Sequence, residues 1–246
     1  MGIYETLVTA YDELFPPAPA AQAFFGYARP KRAGRPALAI DLGCATGAHV
    51  ALLAGTGWSA LGVDPSAAMI AAANERHGDL AGIRFATGSM QDVDGLAPPG
   101  SASMILCVGN TLPHLGRSEL GGFFSRSAET LEPEGRLVVQ MLNYAKLLAE
   151  RPASLPDIRA GSWLFRRSYR YGDDGSVVFA TELSETGGAE NPERGETVLT
   201  PFTVDEALAA AGAAGFSALG VYASWNRDRF DPAASTVALI DLRLGP

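Results

Sequence analysis

The sequence predicts an α/β fold, a doubly wound and mostly parallel sheet with helices on both faces. Three observations lead there. Short apolar runs without polar alternation recur between residues 37 and 142, the pattern of strands buried on both faces. Helical stripes with apolar residues three and four apart separate these runs. Gly, Pro and Asp punctuate the junctions. The 246 residues suffice for one large domain, and no low-complexity linker divides them.

Tyr4, Leu7, Val8, Tyr11, Leu14 and Phe15 share one face of a first helix, which Pro16, Pro17 and Pro19 end. A second short helix runs through Ala23, Phe24, Phe25 and Tyr27, and the basic, Gly/Pro-containing segment 31–36 is a surface connection. Residues 37–42 form the first strand, 43–47 a tight turn, and 48–54 a helix closed by Gly55 and Gly57. The second strand, 58–63, ends at Asp64-Pro65-Ser66, with Ser66 as N-cap of a helix carrying Met69, Ile70 and Ala73. Strands follow at 83–86 and 102–108, then a helical stripe of Leu120, Phe123, Phe124, Ala128 and Leu131. Pro133-Glu134-Gly135 turns into a strand over 136–142.

The rhythm changes after Glu150. Strands 163–171 and 176–183 are joined at Asp173-Asp174-Gly175, a strong hairpin signal, and 196–200 adds a third. Thr203 with Glu206 three residues on forms a capping box for a helix ending near Gly215. Strands 216–222 and 235–241 finish the chain. The expected organisation is a single domain over 1–246, with a helical cover at 1–36 and an antiparallel β insertion at 151–201.

Composition narrows the function. Nineteen Lys and Arg against 27 Asp and Glu give a net charge of −8, which disfavours nucleic acid and anionic membranes as partners. A hydrophobic fraction of 47% excludes wholesale disorder. Cys44 and Cys107 read as reduced, buried thiols, and a cytoplasmic location is expected. No run of about 18 apolar residues is present to span a membrane, and no basic-then-apolar leader opens the chain. Gly2 with Thr6 matches the myristoylation pattern, but the residues beyond read as a packed helix face and no polybasic segment adds a second anchor. His49, His77 and His114 have neither His-x-x-x-His spacing nor Cys partners, so no metal site is expected; His49 and His77 read as helix-surface residues.

The chemistry centres on Asp41-Leu42-Gly43-Cys44-Ala45-Thr46-Gly47, beyond the carboxyl end of the first strand, where open α/β sheets bind ligands. Glycines there let backbone approach a ligand closely. Asp64, ending the next strand, suits a carboxylate that accepts hydrogen bonds from a ribose diol. A dinucleotide fingerprint is absent, because positions 45 and 48 are Ala, and so is a phosphate loop, because Ala48-His49 follow Gly47. The turn therefore suits a ribosyl ligand without a pyrophosphate.

Asp41, Gly43, Gly47 and Asp64 match in type and spacing the first two motifs of class I S-adenosylmethionine-dependent methyltransferases, which the sequence resembles. Residues 105–115, Asn143-Tyr144 and the β insertion resemble the glycine N-methyltransferase-like small-molecule branch. The resemblance implies a seven-stranded Rossmann-like sheet of order 3-2-1-4-5-7-6 and S-adenosylmethionine as cofactor, leaving as S-adenosylhomocysteine. It implies a cofactor site of Asp41, Gly43, Cys44, Ala45, Gly47, Asp64, Pro65, Met69, Ser89, Met90, Gln91, Cys107, Val108 and Gly109. Ser89 stands where the family commonly has Asp. Asn110, His114, Asn143, Tyr144 and Arg167 would face the acceptor, with Tyr11 and His114 as catalytic candidates. Trp163, Phe165, Arg167, Tyr169 and Tyr171 share one strand face, an aromatic–arginine surface able to hold a carboxylate or a flat ring.

The implied reaction is in-line methyl transfer to a small molecule. The absence of a conspicuous base points to a nitrogen acceptor or to an already acidic hydroxyl or thiol. A homodimer is compatible with the sequence. Two alternatives are an S-adenosylmethionine-binding module without activity and a nicotinamide-dependent reductase. The reductase would need Tyr-x-x-x-Lys, and Tyr144 is followed at that spacing by Leu148. The Asn-Pro-Pro-aromatic signature of DNA and protein-amide methyltransferases is not met by Asn110-Thr111-Leu112-Pro113.

Overall fold

The computed structural model describes residues 7–31, 36–185 and 192–246. Gly2, Tyr4, Thr6 and most of the expected connection at 31–36 lie outside the described residues. Helices α1 (Tyr11–Leu14) and α2 (Pro19–Ala28) precede β1 (Leu38–Leu42), α3 (Ala48–Gly55), β2 (Ser59–Asp64), α4 (Ala67–His77) and β3 (Ile83–Thr87). Next come β4 (Ala102–Cys107), α5 (Leu120–Thr130), β5 (Leu131–Leu142) and α6 (Tyr144–Glu150). Strands β6 (Ser154–Ala160), β7 (Trp163–Tyr171), β8 (Val177–Glu185) and β9 (Glu193–Leu199) follow, then α7 (Val204–Ala213), β10 (Phe216–Tyr222) and β11 (Val237–Leu244).

The main sheet has seven strands in the order β10-β11-β5-β4-β1-β2-β3, which is the expected 3-2-1-4-5-7-6 when only its own strands are counted. β1 pairs in parallel with β2 and β4, whereas β11 runs antiparallel between β5 and β10. Both faces are covered. On one, Phe123 and Phe124 of α5 pack with Phe202, Ala207 and Ala211; on the other, Phe24, Phe25, Val50 and Leu53 of α2 and α3 pack with Trp58. Each such fully buried large side chain contributes about 2–3 kcal/mol of hydrophobic stabilisation. The Trp58 indole N–H also donates to the Phe25 carbonyl at 3.1 Å, so the ring is buried with its polar atom satisfied.

Several junctions form as their chemistry predicts. The Ser66 hydroxyl accepts from the Met69 N–H at 3.3 Å and caps α4. The Thr203–Glu206 capping box closes on both sides at 3.2 and 2.8 Å. The expected turn at Pro133-Glu134-Gly135 is instead part of β5: the register with β4 shifts between Ala102 and Met104, and Glu134 takes φ 63°. A bulge absorbs the turn residues without ending the strand.

The β insertion is a four-stranded antiparallel sheet, β6-β7-β8-β9, with one strand more than expected. Pro156 hides β6 from a pattern reading, yet β6 is an edge strand and its register shifts between Leu155 and Ile158, where proline is tolerated. Leu7, Ala10 and Leu14 of the N-terminal segment pack with Ala45, Met69, Phe165 and Leu183, wedged between the glycine turn and this second sheet. Asp12 accepts a hydrogen bond from the Thr46 hydroxyl and pairs with Arg76 at 2.8 Å, tying the segment to the turn and to α4. Among the described residues no helix is long and apolar enough to cross a membrane.

Candidate active site

The turn after β1 is held from below. The N–H groups of Gly43 and Cys44 both donate to the Val63 carbonyl, at 2.7 and 3.0 Å, anchoring the turn to the end of β2. Gly43 and Gly47 take φ of 76° and 85°, in the region that favours glycine. A Cβ would also have no room: at Gly43 it would lie 2.6 Å from the Thr111 hydroxyl, and at Gly47 2.7 Å from the Phe85 ring. Ala45 adopts φ 46° without being glycine, and its N–H donates to Asp64 Oδ2 at 3.0 Å. The other Asp64 oxygen accepts from the Ser66 N–H at 2.9 Å. An ionised carboxylate offers about four acceptor positions, so Asp64 keeps capacity for a diol while bracing the turn. Burial pushes its pKa up, against those two N–H bonds.

Asp41 differs. It is 1% exposed, and neither carboxylate oxygen has a hydrogen-bond partner among the described residues. Burial, helped by the charge of Asp64, pushes its pKa up to about 7. A buried acid without a partner among the described residues is costly to ionise unless a cationic group pairs with it.

Above the turn lies a cavity of about 910 Å³. Of the expected cofactor residues, Gly43, Cys44, Val108 and Gly109 line it. Asp41, Ala45 and Gly47, in β1 and the turn, are not among its lining residues, nor are Asp64, Pro65, Ser89 and Gln91 at and after the ends of β2 and β3. Ser89 accepts from the Gln91 N–H at 3.1 Å, and the Gln91 amide donates to Glu119. Met69 is fully buried behind Ala45, and Met90 packs on the main core. Cys107, also expected on the cofactor side, has its side chain fully buried in the core, because β4 is a central strand. Burial, with Asp41 nearby, drives both cysteine thiols well above their ordinary pKa, so neither is a ready nucleophile.

Of the expected acceptor residues, Tyr11, Asn110, His114 and Arg167 line the cavity. The Arg167 guanidinium is oriented by donation to the Pro156 carbonyl at 2.7 Å, and its Nε is buried with no partner. Asn110 sits at φ 67°; its side chain accepts from the Leu142 N–H at 3.0 Å and donates to the Tyr144 hydroxyl at 3.0 Å. Tyr144 therefore stands behind Asn110 and not at the cavity wall. The Asn143 side chain caps α6 through the Lys146 N–H and donates to the carbonyls of Pro232 and Ser235 at 2.8 and 2.9 Å, so its polar atoms are engaged away from the cavity. Lys146 pairs with Glu150, which leaves no tyrosine–lysine couple of the reductase kind.

Pattern reading missed His49, Gln140 and Trp225, all on the wall. Gln140 Oε1 accepts from the Gly109 N–H at 2.7 Å and shapes the loop after β4. His49 is no helix-surface residue: burial beside Phe25 and Trp225 depresses its pKa to about 4. Its place two residues past the glycine turn was the available signal. Trp225 follows β10 and gave none.

Residues 39–135 match the model of a methyltransferase domain. No curated protein matches the sequence. Among solved structures, the CcbJ methyltransferase from Streptomyces caelestis is similar, with 23% identity and a TM-score of 0.80 over 100% of this chain and 99% of that one. CalS10, an amino pentose methyltransferase from Micromonospora echinaspora, shares 23% identity at TM-score 0.67, covering 99% and 97% of the two chains. The sugar N-methyltransferase KedS8 from a Streptoalloteichus species shares 19% identity at TM-score 0.69, covering 100% and 94%. At these identities the likeness establishes the fold.

Proposed function

We propose that this S-adenosylmethionine-dependent methyltransferase, whose acceptor is a small molecule, methylates a nitrogen, and that the acceptor is an amino sugar or a similarly hydroxylated amine. The residues fit the cofactor. Asp41 offers an unpartnered carboxylate to its cationic end, Asp64 has acceptor capacity for the ribose, and Gly43 and Gly47 leave the turn without side chains where it must be approached. When bound, the cofactor supplies a methyl group on a sulfonium, open to in-line displacement.

What this chain adds is position and dryness. The N-terminal segment, latched by Asp12, and the second sheet enclose the space above the turn. Tyr11 and His114 face that space, and Asn110 is fixed by Leu142 and Tyr144.

One observation carries the nitrogen reading. Among the described residues no carboxylate lines the cavity, and burial pushes both of its histidines below their ordinary pKa. A hydroxyl acceptor that is not already acidic needs a strong base there, and a histidine of lowered pKa is a weak one, whereas an amine attacks once it is neutral. The sugar reading draws on CalS10 and KedS8, described as amino pentose and sugar N-methyltransferases. The motif resemblance to the glycine N-methyltransferase-like branch supports the same nitrogen chemistry, although Asn143 and Tyr144 now serve it only from behind the wall.

The test is a screen with methyl-deuterated S-adenosylmethionine against amino sugars, simple amines, sugar hydroxyls and thiols, read by mass spectrometry. Label on the nitrogen of an amino sugar is expected. Label confined to oxygen or sulfur acceptors overturns the nitrogen reading.

A further inference from the structure

The cavity has two unlike sides. The second sheet contributes Phe165, Arg167, Tyr169 and Phe179, and Arg167 is the one Lys, Arg, Asp or Glu side chain on the wall among the described residues. The opposite side is uncharged. It is built from the proline-rich segment 16–20, from Ala48 and His49 at the start of α3, and from residues 223–226 after β10.

His49 is the one titratable side chain on that side among the described residues. Its ring lies 6.1 Å from Phe25 at 77° and 6.0 Å from Trp225 at 41°, centroid to centroid. Trp225 is itself braced edge-on by Phe24 and Phe25, at 5.3 and 5.5 Å. The helix explains the orientation: Val50 and Leu53 are fully buried against the sheet, so His49 faces α2 and the loop after β10. No described residue hydrogen-bonds to its ring nitrogens. Burial keeps the ring uncharged at neutral pH, so it presents one N–H donor and one lone pair together. A polar group set in apolar surroundings without a protein partner is costly unless a ligand or water satisfies it. An uncharged imidazole has no electrostatic claim on a carboxylate or phosphate. It suits a hydroxyl, which gives and accepts at once. The flat indole of Trp225 beside it suits the C–H face of a saturated ring.

We infer that His49 binds the acceptor, hydrogen-bonding a ring hydroxyl in a subsite walled by Trp225. This rests on the hydroxylated-amine reading above, and the arms below separate the two.

His49→Phe keeps the aromatic packing and removes both polar atoms; His49→Gln keeps a donor and an acceptor. The probes are the methyl glycoside of an amino-deoxyhexose and its monodeoxy analogues. For His49→Phe, KM for the glycoside is expected to rise about tenfold, the loss of one to two neutral hydrogen bonds, with kcat changed far less. His49→Gln restores part of it. One monodeoxy analogue shows the same raised KM with the unmodified enzyme and loses nothing further in His49→Phe. Affinity for S-adenosylhomocysteine, by calorimetry, stays within about twofold, below 0.5 kcal/mol. A tenfold loss of that affinity assigns His49 to the cofactor and overturns the inference, as does an unchanged KM. If no amine is methylated, the nitrogen reading fails alone. The His49 assignment is then decided by nitrogen-15 histidine NMR with S-adenosylhomocysteine bound. Its imidazole signals must move when a methyl deoxyhexoside without an amino group is added at millimolar concentration, and unmoved signals overturn it.

Discussion

The two halves of the site are built by opposite means. At the cofactor end, Asp41, the turn 43–47 and Asp64 fall within 24 residues, and backbone groups fix the last two: Val63 holds the turn, and Ala45 and Ser66 hold Asp64. At the acceptor end the wall is assembled from α1, the start of α3, the loop after β4, the second sheet and the loop after β10. Side chains packed on one another, not backbone, set its shape. The first half is a local device that tolerates little change; the second is a composite surface in which one residue can change without unmaking the rest.

The largest effect that tests this contrast is at Asp64. Asp64→Ala leaves the N–H groups of Ala45 and Ser66 without acceptors and removes the diol partner. Charge-assisted hydrogen bonds contribute about 1.5–3 kcal/mol each, so cofactor affinity should fall more than about 100-fold by calorimetry, with the circular dichroism of a folded protein retained. Retained affinity would break the comparison, because the cofactor end would then be as composite as the acceptor end.

Gly47→Val comes next. The position has φ 85°, and the new Cβ would stand 2.7 Å from the Phe85 ring, which is itself packed over Gly62. Overpacking together with a left-handed β-branched residue should cost about 2–4 kcal/mol, read as a lowered Tm and denaturation midpoint. Phe179→Ala on the second sheet, where the ring is half-buried, should alter acceptor KM while leaving cofactor affinity in place. Equal sensitivity of cofactor affinity to both changes would erase the distinction.

That asymmetry also explains what could be read from the chain. Strand order, the glycine turn, Asp64 and the Ser66 and Thr203 caps are local patterns, in which residue type, spacing and backbone conformation depend on one another within a few positions. The acceptor wall carries no such dependence. Trp225 reaches the cavity only because β10 and β11 close the sheet beside β5, and nothing near position 225 announces it. Asn143 shows the complementary case: the family resemblance placed it at the site, while its side chain caps α6 and holds residues 232 and 235, long-range contacts that no local pattern announces. β6 was obscured by Pro156, which an edge strand with a register shift accommodates.

Asp41 sharpens the contrast through pH. Its folded pKa of about 7 stands above the ordinary 3.8, so the cofactor-free fold holds a proton that the unfolded chain has lost. Stability is thus present below about pH 4 and declines as pH rises toward 7, the direction linkage requires for a raised acid. Binding a cation reverses the preference, because the ionised form is the one that pairs. Affinity for S-adenosylmethionine should therefore rise up to about tenfold per pH unit below 7 and level off above, with a proton released on binding. Asp41→Asn should flatten that profile and gain stability at alkaline pH. A wild-type affinity that is flat from pH 6 to 8 would show that Asp41 stays ionised or plays no part. At the acceptor end burial holds the pKa of His49 at about 4, below that range, and pushes that of His114 below its ordinary value.

The smallest effect is expected where the two halves meet. Asn110 follows the loop of Val108 and Gly109 and lines the cavity, yet its side chain is held by Leu142 and Tyr144. Tyr144→Phe removes one of these holds and keeps the ring, which is 1% exposed among Leu147, Tyr169 and Val177. The Asn110 amide then loses a partner in a half-buried place, a cost of about 1 kcal/mol. If Asn110 is the joint between a rigid half and a packed one, that loss should appear twice. Denaturant midpoints should fall by the equivalent of about 1 kcal/mol, and acceptor KM should rise by up to about fivefold, with S-adenosylhomocysteine affinity unchanged. An equal loss of cofactor affinity would place the joint elsewhere. The loop after β4 would then belong wholly to the cofactor end, and the acceptor would be positioned from the second sheet and the His49 side alone.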